Sequence, residues 1–157
     1  MLEHYNVSDT ELAARTAAAS SMGGSLLVEL NEFVEMKMST QIIQAWRHAA
    51  DICLRDAQYE GLSMTGRADA AFDACYLYAR CVVGEKSELF AHPDASIFVL
   101  AAAELGWLHC LLRPARQHVY ERDKPLRDGS QFDTLMALAV RLEHAIGADD
   151  ITGERNS

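Results

Sequence analysis

The short segment RPARQHVY, residues 113–120, carries side chains that could act together on a phosphodiester. Its chemically active side chains are Arg113, Arg116, His118 and Tyr120. A guanidinium can bind a phosphate through two parallel hydrogen bonds, and an imidazole can transfer a proton near neutral pH. Arginine and histidine are a sufficient minimal set for metal-independent RNA cleavage, because the 2′-hydroxyl supplies the nucleophile while the protein transfers protons and stabilises charge.

This segment begins the one basic stretch of an acidic chain. Three further basic residues follow it: Arg122, Lys124 and Arg127. The formal net charge of the whole chain is −9, which argues against binding nucleic acid through bulk charge but leaves room for a local basic site. A solvated helix end is the alternative, because the helix dipole alone favours basic side chains near a C-terminus.

Four stretches of the chain, between about residue 40 and residue 147, are similar to one known family. They are ADICLRDAQYEGLS, GRADAAFDACYLYARCVV, AHPDASIFVLAAAELGW and RPARQHVY. The chain resembles HEPN domains, small helical proteins of prokaryotic toxin–antitoxin and nucleotidyltransferase-associated systems. The last stretch is similar to the family's Arg-x4-His-x-Tyr ribonuclease motif, with Arg113, His118 and Tyr120 on its positions. The resemblance implies a homodimer in which the motif faces a shared cleft.

From this resemblance we expect a domain that binds or cleaves RNA or a nucleotide, with a cognate antitoxin or nucleotidyltransferase as a further partner. In a catalytic form, Arg113 would hold the scissile phosphate, His118 would transfer the proton and Tyr120 would support them. Neither a metal nor another cofactor is expected. The additional residues expected to contact nucleic acid are Arg116, Arg122 and Lys124.

A non-catalytic module is the alternative function. Pro114 follows Arg113 where the family usually has a polar residue, often asparagine. In a second register, Arg116-Gln117 would correspond to the family's Arg-Asn, as in members thought to be non-catalytic, and His118 would be incidental. The chain would then dimerise and bind another protein through its helices.

Other groups of side chains could also do chemistry, but each has a simpler structural explanation. His92 and Asp94 could bind a metal, yet with no third ligand in sight they fit a capped loop better. Arg80 with Asp73 and Asp69 could line a cleft, but a buried ion pair inside a bundle explains them as well. Three aromatic residues could line a small-molecule pocket, although core packing is the simpler role: Tyr76, Tyr78 and Trp107.

Helices must position these side chains, because apolar residues recur at helical spacing through most of the chain. The segment Thr65–Val83 is almost continuously apolar, with Asp69, Asp73, Tyr76 and Arg80 on one face. We therefore expect it to form the buried centre of a bundle. Short loops join the long helices, which predicts an all-α fold, an up-and-down bundle of four to five antiparallel helices with a short extra helix.

Local signals suggest where several helices begin and end. Residues 41–57 form an amphipathic pattern that Ser39 or Thr40 can cap. Pro114 interrupts the helical pattern of residues 107–121, so either the helix bends there or a new turn begins. Gly147 is expected to end the last helix.

The chain divides into three expected regions. Residues 1–38 are an N-terminal extension outside the resemblance, residues 39–147 are the HEPN-like bundle domain, and residues 148–157 are a flexible C-terminal tail. A short alanine-rich helix is expected over residues 9–20. Residues 26–38 fit either a helix or a strand pair, and we favour a helix because the downstream segments are helical.

Composition bounds the class of protein. A chain of 157 residues is long enough to bury a proper core. Its longest uncharged apolar run is far short of a membrane span, and its N-terminus is acidic where a signal peptide would be basic. We therefore expect a cytoplasmic protein without a membrane partner. None of the four cysteines is spaced as CxxC, which favours reduced core cysteines over a metal or disulfide.

Overall fold

The computed structural model describes residues 24–126 and 128–153. These residues form five α-helices and two short 3₁₀ helices, with no strand among them, so the prediction of an all-α bundle is confirmed. The helix expected at residues 9–20 and the end of the expected C-terminal tail, residues 154–157, lie outside the described part of the chain.

The helices follow one another through short connections. The α-helices are α1 (Gly24–Gln58), α2 (Met64–Val83), α3 (Ser96–Leu105), α4 (Arg113–Glu121) and α5 (Gly129–Gly153). The two 3₁₀ helices are Gly84–Leu89, after α2, and His109–Leu112, before α4. Within residues 24–126 and 128–153, none of these helices has both the length and the apolar character that crossing a membrane requires.

The chain forms two compact units, Met1–Thr40 and Gln41–Ser157, and α1 runs through the boundary between them. The preference for a helix over a strand pair at residues 26–38 is confirmed. The prediction of a separate helix capped near Thr40 is wrong, because α1 is continuous there. Thr40 Oγ1 donates to the carbonyl of Met36 at 2.9 Å, a bond within the helix that leaves the hydroxyl unable to cap a new one.

The prediction that Thr65–Val83 forms the buried centre is confirmed, since α2 packs against α3, α4 and α5. Ser63 caps its start by accepting a hydrogen bond from the Gly66 N–H at 3.1 Å, and Gly84 ends it with a φ of 73°. Alanines let neighbouring helices approach closely, and aromatic rings fill the remaining space. The buried residues of α2 are Ala68, Ala71, Phe72, Ala74, Cys75, Tyr76, Tyr78 and Ala79.

The connection from α3 to α4 sets the position of the basic segment. Gly106 ends α3 in the left-handed region, at a φ of 65°, and its N–H bonds back to the last turn. After the second 3₁₀ helix, Pro114 lies in the first turn of α4, where its missing N–H costs no intrahelical bond. The proline therefore begins a helix instead of bending one, and Arg113 is the first residue of that helix.

One expected helix end differs from the structure. The last helix does not stop at Gly147 but continues to Gly153. Gly147 is compatible with a helix interior at a cost of about 1 kcal/mol relative to alanine, which the neighbouring turns absorb.

Candidate functional site

Helix α4 presents two chemically different faces. Successive residues of an α-helix are rotated by about 100°, so Arg113, Arg116 and Tyr120 lie within about 60° of one another. His118 is five positions after Arg113, which places it about 140° away on the same helix. The side chains of the basic segment therefore divide between a surface cavity and the core.

The first face of α4 lines a cavity of about 390 Å³, called here the arginine cavity. Its lining residues are His109, Cys110, Arg113, Arg116, Gln117 and Tyr120. Arg113 is exposed, and the Tyr120 side chain is 76 % exposed, so both are available to a ligand. An adjoining hollow of about 340 Å³ shares Cys110, Arg113 and Gln117 with it, which extends the surface beside α4.

Arg116 is less exposed to solvent than Arg113. Its Nε is buried from solvent, and among the described residues it has no hydrogen-bond partner. Buried polar groups normally find a partner, because an unpaired buried donor costs about 1–3 kcal/mol. Arg116 also lines the arginine cavity, where its other guanidinium N–H groups can donate to an acceptor such as a phosphate or carboxylate oxygen.

His118 faces the interior of the bundle, where it is 3 % exposed. Its Nε2 lies 3.2 Å from Asp69 Oδ1, and its Nδ1 lies 3.3 Å from Gln131 Nε2. The Gln131 amide donates to Nδ1, so the ring proton resides on Nε2 and is donated to Asp69. The ring also packs on Phe72 with centroids 4.9 Å apart. These contacts fasten α4 to α2 and α5.

Arg122 points to the same side of α4 as His118. Its Nη2 lies 3.1 and 3.3 Å from the two carboxylate oxygens of Asp73, and its guanidinium lies 5.5 Å from the Phe72 ring centroid. Burial raises the pKa of Asp73 above its ordinary value, although the Arg122 charge acts in the opposite direction. Lys124 is exposed just after α4.

The structure thus brings together three of the six predicted site residues: Arg113, Arg116 and Tyr120. It places His118 and Arg122 against α2, and the catalytic assignment of His118 stays a prediction. Sequence reasoning missed two residues of the cavity, His109 and Cys110. A signal existed for His109, because positions 109, 113, 116 and 120 follow helical spacing in the sequence.

The other candidates have structural partners. Tyr76 Oη donates to His92 Nδ1 at 2.6 Å, and Asp94 accepts from the Ser96 N–H at 2.8 Å, so Asp94 caps α3 as expected. Within the described chain, no group of three or more His, Cys, Asp or Glu residues could hold a metal ion. The expected pairing of Arg80 with Asp73 or Asp69 is wrong, because Arg80 bonds Glu88 at 2.6 Å.

The suggested aromatic pocket does not form as a unit. Tyr78 is fully buried and donates to Asp51 Oδ1 at 2.6 Å, which makes it a core residue. Trp107 is partly buried beneath Arg141, whose guanidinium lies 4.9 Å from its ring centroid. Tyr76 lines a cavity that is described below.

Comparisons of the chain with protein-family models, with curated proteins and with solved structures find no match.

Proposed function

We propose that the chain is a HEPN-like domain that binds RNA or a nucleotide through the arginine cavity. The observation that carries this proposal is that Arg113, Arg116 and Tyr120 line one cavity. Two guanidinium groups form a local positive site on a chain of net charge −9. The guanidinium N–H groups that face the cavity can donate to the ligand's phosphate.

The side chains suit a phosphate and a base that bind together. Arg113 and Arg116 can each hold phosphate oxygens through paired N–H groups. Tyr120 offers an exposed ring on which a base can stack, an interaction worth about 1–3 kcal/mol that tolerates any base. The volume of about 390 Å³ lies within the range of about 300–1,000 Å³ for small-molecule sites.

Binding is the part of the ribonuclease hypothesis that the geometry supports best. Cleavage by Arg113 with His118 would require the imidazole to leave Asp69, Gln131 and Phe72 and to cross to the other face of α4. A general base must come within hydrogen-bonding distance of the proton that it removes.

We place the binding activity in the cytoplasm, in line with four free cysteines.

The test is a titration of labelled single-stranded RNA of about ten nucleotides, followed by fluorescence anisotropy. Replacing Arg113 and Arg116 together by alanine should weaken binding at least about tenfold and flatten the salt dependence, because each lost phosphate contact removes about 0.7 from the logarithmic slope. Replacing Arg55 and Lys86 together by alanine, both exposed and outside the cavity, also removes two positive charges and is the matched control. Equal affinities for the double variant and the parent protein would overturn the proposal.

A second candidate function is a helical module that forms a homodimer or binds a cognate antitoxin or nucleotidyltransferase. It is favoured by an apolar stripe on the first turns of α1, in which each side chain is at least half exposed. The stripe consists of Leu26, Leu27, Leu30, Phe33 and Val34. Clustered exposed apolar side chains mark interaction surfaces. Sedimentation equilibrium should show a dimer that Leu30→Glu dissociates, and a parent protein that remains monomeric at every concentration would contradict dimerisation.

A further inference from the structure

A separate cavity shares no lining residue with the arginine cavity. Its volume is about 290 Å³, and α1, α2, the segment at Pro93 and the end of α4 surround it. We call it the aromatic cavity because Phe72 and Tyr76 line it. Leu77 and Pro93 add apolar surface to the same cavity.

The walls of the aromatic cavity are fixed before any ligand binds. The rings of Phe72 and Tyr76 are nearly parallel, with an interplanar angle of 24° and centroids 6.1 Å apart. Tyr76 Oη donates to His92 Nδ1 at 2.6 Å and accepts from the Asp94 N–H at 3.0 Å. Because both bonds of the hydroxyl are made inside the protein, Tyr76 offers a ligand the edge of its ring, and fully buried Phe72 supports that ring from behind.

The arginines of this cavity have donors to spare. Asp73 accepts from Arg122 with both carboxylate oxygens, and the hydrogen bonds described for Arg122 use only Nη2. Those described for Arg80 use Nε and Nη2, with Ser87 and Glu88 as acceptors. Further guanidinium N–H groups of both arginines therefore remain for a ligand that brings its own acceptor oxygens.

Four titratable side chains that line the aromatic cavity have pKa values shifted by burial. Burial is the largest cause of a raised pKa at Cys53, Asp73 and Tyr76, and it lowers the pKa of His92. Several perturbed groups around one largely apolar cavity are typical of a ligand site.

We propose that the aromatic cavity binds a small planar aromatic carboxylate, with its ring against the surface of Tyr76, Leu77 and Pro93 and its carboxylate on Arg122 and Arg80. The carboxylate accepts from the guanidinium N–H groups that the described hydrogen bonds leave unused, and the ring fills the apolar part. The ligand binds by recognition alone, without a covalent step. This site is independent of RNA binding, because the two cavities have separate linings.

The probe is indole-3-carboxylate, with indole as the uncharged analogue and tryptamine as the cationic one. Titration of the full chain, followed by nitrogen-15 NMR of the arginine side chains, should shift the Arg122 and Arg80 signals and give a sub-millimolar Kd. Indole and tryptamine should each bind at least about tenfold more weakly, because they lack the charged acceptor. Equal binding of all three probes, or no shift with indole-3-carboxylate, would overturn the proposal.

Two variants test the site from different directions. Arg122→Gln removes the charge of a partly exposed side chain and should weaken binding of indole-3-carboxylate at least about tenfold. Leu77→Trp fills the cavity and should abolish binding of both indole and its carboxylate. Arg55→Gln, outside both cavities, is the matched control and should bind as the parent protein does. Unchanged affinity in a folded Arg122→Gln protein would refute the assignment, even if Leu77→Trp fails to fold.

Discussion

Replacing His118 by alanine separates a structural role for this residue from a catalytic one. The side chain is 3 % exposed and contacts three residues: Asp69, Gln131 and Phe72. Each lost hydrogen bond costs about 1 kcal/mol. The lost ring contact adds about 0.5–1.5 kcal/mol. We therefore expect the free energy of unfolding to fall by about 3 kcal/mol, before any cost of the cavity that remains.

Urea denaturation measures this change directly, and a thermal scan should show a decrease of roughly 6–12 °C in Tm. Tyr120→Ala is the matched control, because it removes a larger side chain from the same helix. Tyr120 is 76 % exposed, so its loss should change stability by less than about 0.5 kcal/mol. A His118→Ala protein as stable as the parent would refute the packing role of His118. It would also remove the objection that these packing contacts keep His118 from taking part in cleavage.

Three further predictions use other parts of the molecule. A thiol reagent should modify exposed Cys110 first and weaken RNA binding. Cys75 is fully buried and its pKa is raised, so it should react only on unfolding. Peptide mass mapping measures both reactions, and a fast-reacting Cys75 would contradict the prediction. Burial raises the pKa of Asp73 in the folded protein above 3.8, so the folded state keeps this proton to higher pH than the unfolded state does. The contribution of Asp73 to the free energy of unfolding therefore falls as the pH rises from 3.8 through the folded pKa. Asp73→Asn should flatten this fall in urea denaturation between about pH 4 and 7, and identical pH profiles would contradict the assignment. Gly106 has a φ of 65°, so Gly106→Ala should lower the free energy of unfolding by about 1 kcal/mol. Gly129→Ala, in the first turn of α5, should leave it unchanged or raise it. Equal effects of the two variants in urea denaturation would exclude a role for the left-handed conformation of Gly106.

The helices were predictable because apolar periodicity determines which residues a bundle buries. Thr65–Val83 is the clearest case, since its alanines and aromatic residues leave only a narrow polar face. The break expected near Thr40 was wrong for a local reason. Serine and threonine favour helix caps, but Thr40 bonds the Met36 carbonyl and stays within the helix, a choice that the sequence does not reveal.

The site was only partly predictable, because the effect of Pro114 depends on where its helix begins. A proline within a helix would bend it and could bring Arg113 and His118 together. A proline in the first turn leaves both residues on one regular helix, about 140° apart. The burial of His118 also depends on Gln131, which belongs to a helix that begins after the basic segment. Contacts of this kind have no signature in local spacing.

The short length of α4 affects how any mutational survey of this protein should be interpreted. The helix has only nine residues, fewer than an isolated helix needs to persist in water, so tertiary contacts must hold it in shape. His118 and Arg122 provide such contacts by anchoring it to Asp69 and Asp73. Substitutions at His118 or Arg122 would loosen α4 and so displace Arg113 and Arg116, although neither substituted residue lines the arginine cavity. A variant could thus lose its ligand without having lost a single atom that touched it.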